Sequence, residues 1–238
     1  PSYCLLSMGS SMTKADATIR HVTEKNNFAF LAVALVLLLF GLALSHEFGI
    51  AAGQFVVQAG LIAARSVGVW SMRGEHRLHR TRLGLLAAVS LMAAVQFWVK
   101  QTGFDLIWLG FVILYLLLTT GSAMRLVLFS GPVDWNKIIG SYCIYLLLGI
   151  LWSIFYMVLA ELRPDAIHGL PTGDLFETLP NLLYFSFVTL TTVGYGDITP
   201  TTPLAHFLAS MEAVTGQFYL TVLVASLVGS VLSNRQAS

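Results

Sequence analysis

The chain has 238 residues, of which 56% are hydrophobic and 11% charged, and its formal net charge is +1. Its mean hydropathy is +0.77. These values exclude an ordinary soluble domain and predict a protein of the lipid bilayer. The sequence contains neither an enzyme motif nor a feature typical of nucleic-acid binding, so we predict neither function.

Six apolar segments are long enough to cross a membrane, which takes about 20 helical residues. They predict an all-α membrane protein with six transmembrane helices, at residues 27–45, 48–64, 83–99, 106–124, 138–160 and 204–232. The second and third segments are the shortest, at 17 residues each. Glu212 is the only charged residue inside a predicted span.

The distribution of lysine and arginine predicts that both termini are cytoplasmic. In this orientation 11 of the 13 basic residues lie inside, and only Lys100 and Arg163 lie outside. One inner loop is especially basic. Its arginines either enforce the topology or bind anionic lipid headgroups; they are Arg65, Arg73, Arg77, Arg80 and Arg82.

A break at Gly131-Pro132 divides the chain into two predicted modules, residues 1–130 and 131–238. Proline removes a backbone donor and restrains the residue before it, so a helix is not expected to continue through this point. The first module has four spans, but the fourth, Leu106 to Met124, contains no lysine or arginine. A voltage sensor needs several such charges. We therefore predict a four-span domain without steep voltage sensing.

A short helix is predicted over Leu175 to Leu190 in the second module. Asp174 stands at the expected N-cap, and Glu177 follows at the third helical position, which is a pattern typical of helix starts. The C-terminal carbonyls of this helix would point toward the membrane centre. Their negative dipole end favours a cation there.

The segment after this helix reads Thr191-Thr192-Val193-Gly194-Tyr195-Gly196-Asp197. Gly194 and Gly196 can adopt left-handed dihedral angles, which lets neighbouring carbonyl groups point the same way. A row of carbonyl oxygens can replace the hydration shell of a potassium ion. The Thr192 hydroxyl adds a further oxygen at the inner end.

This segment and the run from Glu212 to Leu220 resemble the pore module of the tetrameric potassium channel superfamily, from about Trp135 to Gly229. Within it, the chain is most similar to bacterial ion-channel proteins with a two-helix pore. The resemblance implies a re-entrant pore helix and filter loop, a fourfold homotetramer, K⁺ as the permeant ion and a location in the plasma membrane, which in a bacterium is the inner membrane. It assigns the ion ligands to the main-chain carbonyls of Thr192, Val193, Gly194 and Tyr195, with the Thr192 hydroxyl.

The resemblance also implies how the filter is supported. The Tyr195 ring would pack against Tyr184 and Phe185, while Gly196 and Asp197 would form the outer mouth. Some relatives carry a carboxyl group four residues before the filter threonine. Val188 occupies that place here, so a different brace is expected.

The last predicted span carries candidates for gating. Gly216 lies 19 positions after Asp197 and is either a hinge or a site of close helix packing. An apolar lower pore is predicted from a four-residue repeat, Leu220, Val224, Val228 and Leu232. Glu212 either hydrogen-bonds behind the pore helix or attracts ions.

The function predicted from these features is a potassium-selective channel that conducts passively. A potassium transporter subunit is one alternative, although such chains carry four degenerate filter copies and this chain carries one strict copy. A non-conducting structural or sensory membrane protein is the other alternative.

Overall fold

The computed structural model describes residues 27–47, 84–92, 102–129, 135–171, 173 and 175–236. Its helices are α1 (Asn27–Glu47), α2 (84–92), α3 (Thr102–Phe129), α4 (Trp135–Leu162), α5 (Leu175–Leu190) and α6 (Pro203–Gln236). Two short strands, β1 (Ile167–His168) and β2 (Thr199–Pro200), flank α5 and the segment that follows it. The predicted second span and the five arginines of the basic loop lie outside the described residues.

Three of these helices are long and apolar enough to cross a membrane, and they are Gly103–Val127, Trp135–Leu162 and Pro203–Ser226. Phe28–Leu44 is a shorter apolar helix, and residues 84–92 form a helical part of the predicted third span. The described part of the chain is therefore mostly helical and suited to a membrane. The helix α5 has the bounds that the sequence predicted.

The helix α4 lies at the centre and packs against α1, α3, α5 and α6. Its buried side chains occur around its whole circumference, as expected for a helix enclosed by others. Two tyrosines of α4 hydrogen-bond to other helices. Tyr145 donates to the carbonyl oxygen of Leu190 in α5, and Tyr156 donates to the carboxyl group of Glu212 in α6.

The strands add a feature that the all-α prediction missed. They pair antiparallel, with Ile167 opposite Pro200 and His168 opposite Thr199. Each strand has only two residues, which is too short for an alternating sequence pattern to reveal it. The pair joins the loop after α4 to the segment before α6.

Candidate ion-conduction site

The candidate site is the segment 191–197, which starts where α5 ends. Left-handed φ angles occur at every second residue: Thr192 at 59°, Gly194 at 58° and Gly196 at 85°. Alternation of handedness turns successive peptide planes so that their carbonyl oxygens face one side. Both glycines adopt the conformation that the sequence predicted. Thr192 was not expected to do so, since a left-handed residue with a side chain costs about 1–2 kcal/mol.

The amide groups of this segment point back to the pore helix. Val193 N donates to Val188 O at 2.9 Å, and Gly194 N donates to the same oxygen at 3.3 Å. Thr192 N donates to Thr189 O at 2.9 Å. Within the described residues, no hydrogen bond is donated to the carbonyl oxygens of 192–195.

The inner end of the segment lies beside α6. Gln217 Nε2 donates to the Thr192 hydroxyl across 3.4 Å, and the Gln217 side chain is exposed. The sequence places Gln217 in the last predicted span but does not indicate that it reaches Thr192. A contact between residues 25 positions apart depends on how α6 crosses α5, and local periodicity does not report that crossing.

Tyr184 supports the outer half of the segment. Its ring is stacked on the Tyr195 ring, with centroids 6.3 Å apart and planes 3° from parallel. The Tyr184 hydroxyl also hydrogen-bonds to Asp197. Desolvation, with the Asp197 hydrogen bond, raises the pKa of Tyr184, so the hydroxyl keeps the proton that it donates. Tyr184 thus contacts two residues of segment 191–197, Tyr195 and Asp197, in a chain that has valine at position 188.

Phe185 lies on the other side of the pore helix. Its ring packs edge-on against Tyr156 of α4, with centroids 4.8 Å apart. Phe185 is buried there, so within one chain it does not join Tyr184 at the Tyr195 ring. Neighbouring residues of a helix are about 100° apart around its axis, which explains why the two aromatic rings diverge.

The loop after α4 holds the outer exit of the segment. Thr201 N donates to Ala166 O at 2.9 Å, beside the paired strands. Gly169 has a φ of 87°, and a Cβ there would lie 3.2 Å from Ile198 Cα and 3.3 Å from the Asp197 carbonyl carbon. The backbone therefore passes too close to Asp197 for a side chain at position 169. No motif in the sequence distinguishes this glycine.

Gly216 lies where α6 passes close to the C-terminal end of α5. A Cβ at this position would collide with the Leu190 carbonyl oxygen and would lie 3.1 Å from both the carbonyl carbon and Cδ1 of Leu190. Of the two interpretations of Gly216, this geometry supports close packing. A hinge at Gly216 stays a prediction.

The lower half of α6 carries the predicted apolar repeat. Leu220 and Val224 are exposed in the single chain. The side chains of Val228 and Leu232 lie outside the described residues, although the helix continues through both positions. The geometry of a constriction therefore stays a prediction.

Asp174, the predicted N-cap of α5, also lies outside the described residues, whereas Glu177 lies in the first turn.

Comparisons with known proteins match the region of the chain that contains this segment. Residues 144–233 match the family model described as "Ion channel". A two-pore potassium channel 4 from Arabidopsis thaliana is 35% identical over 91 residues, which cover 34% of this chain and 32% of the plant protein. The inward rectifier potassium channel Kirbac3.1 of Paramagnetospirillum magnetotacticum is 33% identical over 99 residues, covering 42% and 30% respectively.

A two pore potassium channel c from Oryza sativa subsp. japonica is 34% identical over 84 residues, covering 34% of this chain and 18% of the rice protein. The chain thus spans less than a third of the length of the curated relatives it matches. No solved structure gives a significant match. The matches confirm the predicted resemblance to the potassium channel superfamily, and with the apolar helices they support an ion-channel protein of the membrane.

Proposed function

We propose that this chain forms a potassium-selective channel that conducts K⁺ passively across the plasma membrane. The observation that carries the proposal is the alternation of left-handed residues at 192, 194 and 196, with carbonyl oxygens that no described donor reaches. The carbonyls of 192–195 and the Thr192 hydroxyl replace the hydration shell of the ion, and K⁺ is the substrate that this donor set fits.

The surroundings of the segment favour a pore over a lipid-facing loop. Unpaired backbone groups within the hydrocarbon region cost several kcal/mol each, so such a backbone occurs only where it lines a cavity or is covered by protein. Residues 191–197 are all exposed in one chain, with 54% of Val193 and 72% of Tyr195 accessible. We infer that copies of the same chain cover the faces of this segment that point away from the pore. The carbonyl groups then point toward an axis that the copies share.

A closed fourfold homotetramer meets this requirement. One chain contributes one filter strand, and a cyclic arrangement places identical strands around the axis. The pore helix of each copy then directs its C-terminal end toward the centre, where the four partial negative charges favour a cation. Because the dipole charges are fixed in place, they need no reorganisation when an ion arrives.

The remaining features complete the proposal. Both termini lie on the cytoplasmic side, and the outer mouth at Asp197 faces the external solution. The module 1–130 acts without a charged sensor, and 131–238 forms the pore. The described span Gly103–Val127 carries a single basic residue, Arg125, which is exposed near its end. Conduction is accordingly expected to depend little on voltage. For the basic inner loop we propose enforcement of the topology, with binding of anionic lipid headgroups as the alternative role.

The test is ion flux through the purified protein in liposomes. With potassium on one side and sodium on the other, we expect a reversal potential close to that of a potassium electrode. A reversal potential near zero would contradict selectivity. Mass measurement of the solubilised complex should give four copies of the 26.0 kDa chain, and a dimer would contradict the assembly.

A further inference from the structure

Glu212 lies in the first third of α6 with none of its surface accessible. It links three helices through two short contacts. Tyr156 of α4 donates to Glu212 Oε2 at 2.6 Å, and Ser186 of α5 is 2.5 Å from Glu212 Oε1. The Ser186 hydroxyl is also 2.7 Å from the carbonyl oxygen of Gly149 on α4.

The number of protons in this cluster identifies the state of the acid. Three short oxygen–oxygen contacts each require one proton between them: Tyr156 to Glu212, Glu212 to Ser186, and Ser186 to Gly149. Each hydroxyl supplies one proton, and a carbonyl oxygen supplies none. Tyr156 and Ser186 therefore provide two protons for three contacts. The third must be carried by Glu212.

A consistent chain of donors follows when Glu212 is a neutral carboxylic acid. Tyr156 donates to Oε2, Oε1–H donates to the Ser186 oxygen, and Ser186 donates to Gly149 O. With an ionised Glu212, Ser186 would donate to Oε1, and its oxygen would face the Gly149 oxygen across 2.7 Å without a proton. Two buried oxygen atoms that face each other at this distance with no proton between them repel each other, which is unfavourable.

The charges around the cluster agree with this assignment. Within the described residues, no lysine, arginine or histidine contacts Glu212. The titratable groups facing it are Tyr156 and Tyr145, both from α4, while α5 presents only the Ser186 hydroxyl. An unpaired carboxylate in a buried, membrane-spanning helix would pay a large desolvation cost without compensation.

We infer that Glu212 is held as a protonated, neutral acid and acts as a positioning residue that fixes the pore helix against α4 and α6. Ser186 lies two residues before Val188, whose carbonyl accepts the amides of Val193 and Gly194. Glu212 therefore acts on the filter through the segment of α5 that anchors it. The effect on conduction rests on the proposed channel function, whereas the protonation state does not.

The decisive measurement is infrared spectroscopy of the solubilised protein at neutral pH. We expect a carbonyl stretching band of a protonated carboxylic acid in the wild type and its loss in Glu212→Gln. The control is Glu177→Gln, since Glu177 is exposed in the first turn of α5 and its replacement should leave the band intact. Wild-type protein labelled with carboxyl-¹³C glutamate should show the band at lower frequency.

Absence of any protonated-glutamate band in the labelled wild type would overturn the inference, even if no variant assembled. Persistence of the band in an assembled Glu212→Gln tetramer would overturn it equally. Flux then tests the positioning role. The side-chain amide of Glu212→Gln would keep a donor and an acceptor in place, so this variant should conduct within about threefold of the wild type. Glu212→Leu should lose about tenfold or more, as expected when buried partners are left unsatisfied.

The two proposals fail in different ways. If the wild type does not conduct potassium but shows the labelled band, the proposed function is wrong and the neutral acid stands. If the wild type conducts and the band is absent, the neutral acid is wrong and the channel stands. Equal flux in Glu212→Gln and Glu212→Leu, with the band present in the wild type, would contradict the positioning role.

Discussion

Replacement of Gly216 by alanine tests whether the inner helix must touch the end of the pore helix. Carbon atoms in good contact are about 3.5–4.0 Å apart, whereas the new Cβ would lie 3.1 Å from two atoms of Leu190 and closer still to its carbonyl oxygen. The closest contact is with the backbone carbonyl group of Leu190, which cannot relieve the collision by changing its rotamer. Either α6 retreats or the end of α5 moves, by about 1 Å on the spacing of packed carbon atoms.

The energetic consequence can be estimated from two opposing terms. Overpacking of this kind costs about 1–3 kcal/mol. Alanine regains about 1 kcal/mol because it favours a helix more than glycine does. We expect a net loss in the free energy of unfolding of about 1–2 kcal/mol, which lowers the unfolding temperature by about 2–4 °C per kcal/mol. Displacement of Leu190 also weakens the 3.3 Å hydrogen bond that its oxygen accepts from Tyr145.

The assay combines thermal unfolding of the purified protein with potassium flux in liposomes. Gly229→Ala is the matched control, because Gly229 lies in the same helix and a Cβ there meets nothing within 4 Å. The control should be neutral or slightly stabilised. If Gly216→Ala matches the control in both stability and flux, the packing argument is refuted. Altered channel opening at unchanged stability would instead favour the hinge.

Three further predictions concern the filter and the first module. Gly194→Ala should abolish potassium flux because a Cβ disfavours the φ of 58°. Its control is Gly110→Ala on α3, where a Cβ meets nothing within 4 Å. Selective current in the Gly194 variant would place the conduction path elsewhere. Tyr184→Phe keeps the ring stack on Tyr195 but removes the hydroxyl that interacts with Asp197. It should lower potassium over sodium selectivity in reversal-potential measurements, and unchanged selectivity would argue against the brace. Conductance in planar bilayers should change little with voltage, and a slope of several charges per channel that persists in Arg125→Gln would mean that the first module senses voltage.

Local sequence signals predicted the local parts of the site. The bounds of α5 follow from an apolar run between an acidic start and the glycine-containing segment, and the left-handed angles of Gly194 and Gly196 follow from the lack of a side chain. The stack of Tyr184 on Tyr195 involves residues 11 positions apart, and it was implied by a resemblance rather than by any pattern in the chain.

The parts that sequence did not predict depend on how separate helices meet. Glu212 is 56 residues from Tyr156 and 26 from Ser186, so its partners are set by the crossing of three helices. Gly169 is constrained by the approach of Asp197, and its own neighbours along the chain do not reveal this. The left-handed φ angle of Thr192 goes against the intrinsic preference of threonine. It is held by the hydrogen bonds that the backbone amides of this segment donate to carbonyl oxygens of α5.

The strand pair at residues 167–168 and 199–200 encloses the whole pore helix and filter within one short loop of chain. The contacts that shape the filter backbone, from Val188 to Gly194 and from Gly169 to Asp197, all fall inside this loop. Contacts between residues near in sequence form quickly, because little chain entropy is lost in closing them. The backbone of segment 191–197 is therefore shaped by contacts that one chain makes with itself.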